Sequence, residues 1–248
     1  MAIKDYFSQQ SKVYAAFRPT YPDNLYEFIF HHLKNRDVAW DCATGNGQVA
    51  RKLSTVFSKV FATDISQQQI AEGFPADNIF YSVSSAEKTS FEENQFDLIT
   101  VGQALHWINT SEFYREVNRT AKQGALLAVW GYSLLRIDAK IDERFDDFYF
   151  NIVGPYWDAA RKLVEEKYKG VPFPFEEISS PEFFIEAKWS LDQFSGYLSS
   201  WSSTRQYIKE NGKDPVPDFI ETVKPLWKAD ETKAIRFPVF LKLGKVHH

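Results

Sequence analysis

The 248-residue sequence contains one cysteine, Cys42, and one methionine. A single thiol closes no intrachain disulfide and leaves no Cys/His spacing for zinc, so a reducing, cytoplasmic setting and a metal-free protein are expected. The acidic group Asp142, Glu143, Asp146 and Asp147 has no histidine nearby and reads as a solvated helix face. No stretch approaches the roughly 18 uninterrupted apolar residues of a membrane span, and the opening Met-Ala-Ile-Lys-Asp-Tyr-Phe-Ser lacks the apolar region of a secretion signal. Neither membrane insertion nor secretion by that route is expected. Lysine and arginine form no runs and the net charge is −4, which argues against a nucleic-acid backbone as partner. Repeats and low-complexity segments are also missing.

What is abundant is aromatic surface: 7 Trp, 12 Tyr and 22 Phe make up 17% of the chain, although the charged (25%) and hydrophobic (44%) fractions are average. So much ring surface must line something. At about 150 residues per domain the length allows one large domain or one and a half.

From residue 23 to about 131, helical and strand-like segments alternate with short connections, the pattern of a parallel sheet covered by helices. Asp23 is a plausible N-cap for a helix that places Leu25, Phe28, Ile29 and Leu33 on one face. Strands are expected at 38–40, 59–63, 79–83, 96–102 and 125–131. Helices are expected after residue 48, after Ser66 with Gln69 as a capping box, and from Thr110 or Ser111 to a stop at Gly124. Beyond Gly131 the composition turns aromatic and reads as a helical insertion over 132–180. A strand at 183–188, one helix over 191–210 and a last strand at 237–243 follow. The expected fold is α/β, a Rossmann-like, doubly wound, mostly parallel seven-stranded sheet with an aromatic helical insertion after strand 5. The core would comprise 1–131 plus 181–246, and 132–180 would cap the substrate site.

The most informative stretch is Asp41-Cys-Ala-Thr-Gly45-Asn-Gly47-Gln48, between the first strand and the next helix. Glycines there let a ligand approach the backbone, and the helix start offers free N–H groups. Asp64, ending the second strand, can accept from both hydroxyls of a ribose. Two nucleoside ligands fit: a nicotinamide dinucleotide, whose loose fingerprint Gly45-x-Gly47-x-x-Ala50 satisfies, and S-adenosylmethionine. Asp41 separates them, because a carboxylate at the strand end repels a pyrophosphate yet suits a methionine ammonium. A plain strand-to-helix turn with an unrelated downstream acid is the bland alternative.

At this point the chain resembles the class I S-adenosylmethionine-dependent methyltransferases, and within them the trans-aconitate methyltransferase-like family. The resemblance rests on Tyr14-x-x-x-Arg18-Pro-x-Tyr21-Pro22, on the 41–48 turn, on Asp64, on Ser85-Ala86-Glu87, on Gln103-Ala-Leu-His106-Trp107 and on Gly154-Pro-Tyr156-Trp157. It implies that Gly45 and Gly47 approach the cofactor's methionine part, Asp64 holds the ribose, and Ile65 flanks the adenine. Residues 85–87 would border the adenine edge, with Ser85 accepting from its amine, and Gln103 and Ala104 would pass near the sulfonium. Arg18 would clamp a carboxylate of the cofactor, with Tyr14 in a lid beside it. Ala43 stands where the usual turn has its first glycine.

The expected activity is methyl transfer to a small, partly apolar molecule, at an oxygen and plausibly a carboxylate. His106, after the fourth strand, fits a substrate-orienting donor, a base, or a structural histidine. Trp107 could wall the pocket or face the sulfonium. Trp130, Tyr132, Tyr156, Trp157 and Trp201 are further candidates for the pocket wall. A cofactor-binding protein without turnover, or a nicotinamide oxidoreductase, are the competing readings, and the protein would act as a monomer or dimer.

Overall fold

A computed structural model describes residues 19–228 and 230–247. Helix α1 (Asp23–His31) precedes a run of alternating elements: β1 (Val38–Cys42), α2 (Gln48–Ser54), β2 (Lys59–Asp64), α3 (Gln67–Ala71), β3 (Ile79–Val83), β4 (Phe96–Gly102), α4 (Thr110–Thr120) and β5 (Ala121–Tyr132). Then come α5 (Ala139–Asp147), a π-helical turn, α6 (Arg161–Glu165), β6 (Glu176–Ile178), β7 (Phe183–Trp189), α7 (Leu191–Ser199), α8 (Ser202–Asn211), α9 (Val216–Val223) and β8 (Lys233–Lys245). The sheet order is β3-β2-β1-β4-β5-β8-β6, with β7 also paired to β8. Pairings through β5 are parallel and those of β8 antiparallel. The chain reverses its progress across the sheet between β1 and β4, and ligands of such sheets sit at that switch point, beyond the strands' carboxyl ends.

The sheet carries a core on each face, as its strand alternation requires. Along β5, Leu126, Ala128 and Trp130 join one core, while Leu127 and Val129 join the other. β4 is buried along almost its whole length, as a strand covered on both sides must be. Its one charged member, Asp97, is satisfied: its carboxylate accepts the N–H groups of Asp37 and Val38 and pairs with Lys122 at 2.7 Å.

Four sequence expectations are corrected. Pro22, not Asp23, holds the N-cap position of α1, and the Asp23 carboxylate takes Lys52 instead. α4 stops at Thr120, because Ala121 already pairs with Phe96; Gly124 takes its left-handed φ of 78° within β5, next to a register shift. The single helix expected over 191–210 breaks at Trp201, whose extended backbone lets the ring pack among Phe145, Tyr149, Trp157 and Tyr197. The sheet has eight strands rather than seven: β6, only 3 residues long, joins the end of β8 and is too short to carry a period in the sequence. Among the described residues no helix is long and apolar enough to cross a membrane.

Candidate cofactor and acceptor cleft

Three residues within five positions take left-handed backbone after β1: Ala43 (φ 54°), Gly45 (57°) and Gly47 (85°). Gly47 also has no room for a side chain, since a Cβ would sit 2.0 Å from the Tyr81 hydroxyl. The turn is pinned from beneath by Asp41, which is fully buried. One of its carboxylate oxygens accepts the Thr44 hydroxyl and, at 3.0 Å, the Ala50 N–H in the first turn of α2; the other accepts the Thr100 hydroxyl at 2.8 Å. Burial is the dominant influence on Asp41, outweighing these hydrogen bonds and, with some help from the charge of Asp64, pushing its pKa up to about 6. It still ionises near neutrality, and it lies at the floor of a cleft that the turn rims.

Asp64 closes the turn from the neighbouring strand end. Its oxygens accept the N–H groups of Gly45 and Ser66, both at 2.9 Å, which fixes the carboxylate in orientation. Beside it Ile65 stands 47% exposed, an apolar side chain held in solvent at the cleft edge. Ala86 and Glu87 border the same edge. Glu87 accepts the Ser85 hydroxyl and the Asn109 N–H. Thus the Ser85 proton is directed at Glu87, and Ser84 rather than Ser85 lines the cleft.

Across the switch point, Gln103 has a left-handed φ of 56° and turns its side chain back onto β5, where Oε1 accepts the Tyr132 N–H at 2.7 Å. Gly131 makes this possible, because a Cβ there would lie 2.7 Å from that oxygen. Ala104, His106 and Trp107 continue the wall. His106 is half-buried, its Nδ1 2.9 Å from the hydroxyl of the fully buried Tyr168 and its ring against Trp107. Burial pushes the Tyr168 phenol far above its ordinary value, so it is protonated at neutral pH.

The far wall comes from the segment after β5 and from α7 and α8. Trp157, Arg161, Tyr197, Trp201 and Arg205 line it, and the cleft encloses about 460 Å³, within the range of small-molecule sites. Of the five rings expected in the wall, Tyr132, Trp157 and Trp201 line the cleft. Trp130 is fully buried, packed on Tyr21 and Tyr26, because its face of β5 points into the core. Tyr156 turns away, its ring on Tyr207 and its hydroxyl accepting from Asn211. Tyr14 and Arg18 lie outside the described residues. Sequence reasoning missed Thr100, Tyr168, Arg161 and Arg205: isolated hydroxyls and lone helical arginines carry no pattern that separates them from surface residues.

A doubly wound sheet, a left-handed glycine turn at its switch point and a carboxylate ending β2 define a Rossmann-like nucleoside-binding protein. The exposed apolar Ile65 beside a pre-oriented Asp64 suits an adenosine, and the buried anionic Asp41 at the turn suits an amino-acid ammonium rather than a pyrophosphate. Comparison with known proteins agrees. A family model described as a methyltransferase domain matches residues 40–129. The chain is 34% identical to a Dictyostelium discoideum protein assigned as a methyltransferase, over 97% of this chain and 95% of that one. It is 20% identical to CRG1 of Saccharomyces cerevisiae, assigned to the S-adenosylmethionine-dependent methyltransferases, over 90% of this chain and 89% of that one. The solved structure of a type II methyltransferase from Anaeromyxobacter dehalogenans superposes with a TM-score of 0.88 at 31% identity, covering 94% of this chain and 100% of that one. The chain belongs to the class I S-adenosylmethionine-dependent methyltransferases, and S-adenosylmethionine is its cofactor. The nicotinamide reading is thereby set aside.

Proposed function

We propose that this enzyme methylates a carboxylate oxygen of a small and partly apolar acceptor, as the resemblance to trans-aconitate methyltransferase-like proteins also implies. The observation that carries the reading is the cleft itself: about 460 Å³, with the cofactor turn at one end and rings and hydrogen-bond donors at the other. In this reading Asp64 holds the ribose, the turn around Gly45 and Gly47 takes the methionine part with Asp41 facing its ammonium, and residues 84–87 border the adenine. The bound cofactor supplies an electrophilic methyl group on a sulfonium.

The chain's own contribution is to align and enclose. Holding nucleophile and methyl in line is worth about 7–11 kcal/mol. A carboxylate is already ionised at neutral pH, so no base is needed. With Nδ1 engaged by the Tyr168 hydroxyl, the His106 ring is fixed and serves to orient the acceptor oxygen. Trp107, Trp157 and Trp201 exclude water around it. The lone buried Cys42 fits a cytoplasmic setting.

The test is transfer of radiolabelled methyl from S-adenosylmethionine to a panel of carboxylic acids and the matching alcohols. Esters should form from acids, with a rate that is flat around neutral pH. Methyl ethers from the alcohols, with a rate limb near the ordinary histidine range, would instead make His106 a base.

A further inference from the structure

The cleft is lined by charges of both signs, and at the turn end Arg51 of α2 lies over the Phe74 ring, 4.1 Å from its centre. Three of its carboxylates gather at the turn end, where Asp41, Asp64 and Glu87 accept from Ala50, Gly45 and Asn109. The opposite end carries Arg161 and Arg205, and among the described residues neither makes an ion pair. The nearest acid of the rim in sequence, Asp158, is exposed and accepts the Ala160 N–H instead.

Arg161 is held in a particular way. Its Nε donates to the Tyr149 hydroxyl at 3.0 Å, that hydroxyl donates to Glu165 at 2.6 Å, and the guanidinium lies 4.9 Å from the centre of the Trp157 ring. Anchored by one edge and one face, it keeps both terminal nitrogens without an acceptor among the described residues. Arg205 has no hydrogen-bond partner there either, and burial lowers its pKa. The Trp157 indole N–H, also buried, is a third donor without an acceptor among the described residues. Partly buried cations without a counter-ion cost free energy that a bound anion offsets, and the guanidinium fork matches a carboxylate.

We propose that Arg161 and Arg205, with the Trp157 indole N–H, form an anchoring site for an anionic, carboxylate-class group on the methyl acceptor. Tyr149 and Glu165 position Arg161 for this. The inference rests on reading this end of the cleft as the acceptor pocket.

The test uses the full chain saturated with S-adenosylhomocysteine, titrated with phenylacetate and hexanoate and with their primary amides, read by tryptophan fluorescence and calorimetry. An acid should bind about tenfold or more tighter than its amide, as charge-assisted hydrogen bonds imply. Arg161→Gln and Arg205→Gln should each shrink that preference below about threefold, with S-adenosylhomocysteine affinity held within about twofold. Arg161→Lys should recover only part of it, since an ammonium lacks the fork. Equal binding of acid and amide, including none detectable for either, overturns the proposal. So do variants that weaken S-adenosylhomocysteine instead, because the arginines would then hold the cofactor's own carboxylate. Absence of S-adenosylhomocysteine binding by the unsubstituted protein would overturn the underlying reading as well, which separates the two failures.

Discussion

At the turn end of the cleft, backbone sets the geometry: left-handed residues at 43, 45 and 47, and two carboxylates whose oxygens are already tied to N–H groups of the turn and of α2. At the far end, side-chain packing sets it: Trp201 is fixed by Phe145, Phe148, Tyr149 and Trp157, and Arg161 by a ring face and a phenol. The first end carries Asp41, Asp64 and Glu87 with Arg51 beside them, and the second carries Arg161, Arg205 and the larger rings, with Asp158 at its rim. A backbone-built end has few ways to vary and suits a ligand that does not change. An end built from packed side chains can be recut by substitution while the sheet stays as it is, which suits an acceptor particular to this enzyme.

The comparison predicts that damage at the two ends separates into stability and affinity. Phe194→Ala removes a fully buried ring that packs on Phe145, Phe219 and Trp227, and should lower unfolding free energy by about 3–5 kcal/mol in urea titrations. Cofactor affinity of the molecules that remain folded should stay close to that of the parent; a parallel loss would show that the two ends are coupled. Asp64→Ala acts at the other end. It should weaken S-adenosylmethionine by about 1.5–3 kcal/mol in calorimetry, and an unchanged affinity would remove Asp64 from the ribose site.

Smaller effects sharpen the same contrast. Because burial raises the Asp41 pKa to about 6, the group is charged above that pH and neutral below it. Cofactor affinity should therefore fall as pH drops through 6, by up to about tenfold, or about 1.4 kcal/mol, per unit. Asp41→Asn should flatten that profile; an unaltered profile in the variant would mean that the Asp41 charge is not felt by the ligand. Smallest is Ala43→Gly, which relieves a non-glycine residue from φ 54° and should stabilise the fold by about 0.5–1 kcal/mol, the left-handed penalty less the extra freedom glycine gains when unfolded. A loss of stability would show that the Ala43 methyl packs usefully.

The turn was legible in the sequence because its demands fall on consecutive residues. Only glycines tolerate both φ 57° and 85° cheaply, and Asp41 and Asp64 mark the ends of adjacent parallel strands, so residue type and position carry the geometry together. The core strands were legible for a similar reason, since burial on both faces leaves continuous apolar runs such as 96–102. Trp130 and Trp157 show the limit. Both are tryptophans in aromatic surroundings, yet one is fully buried beneath the sheet and the other forms cleft wall. Composition is the same for both; which side of the backbone faces the cleft separates them.

By itself, then, the sequence determined the α/β order, the nucleoside turn and the class of cofactor, all of which depend on local backbone preference and on periodicity. Only the tertiary structure decided which rings line the cleft, that Tyr168 meets His106 across 62 positions, and that Arg161 and Arg205 face a common cleft without an ion-pair partner among the described residues. Those relations depend on long-range packing around the break at Trp201, where burying one large ring outweighed the continuation of a helix.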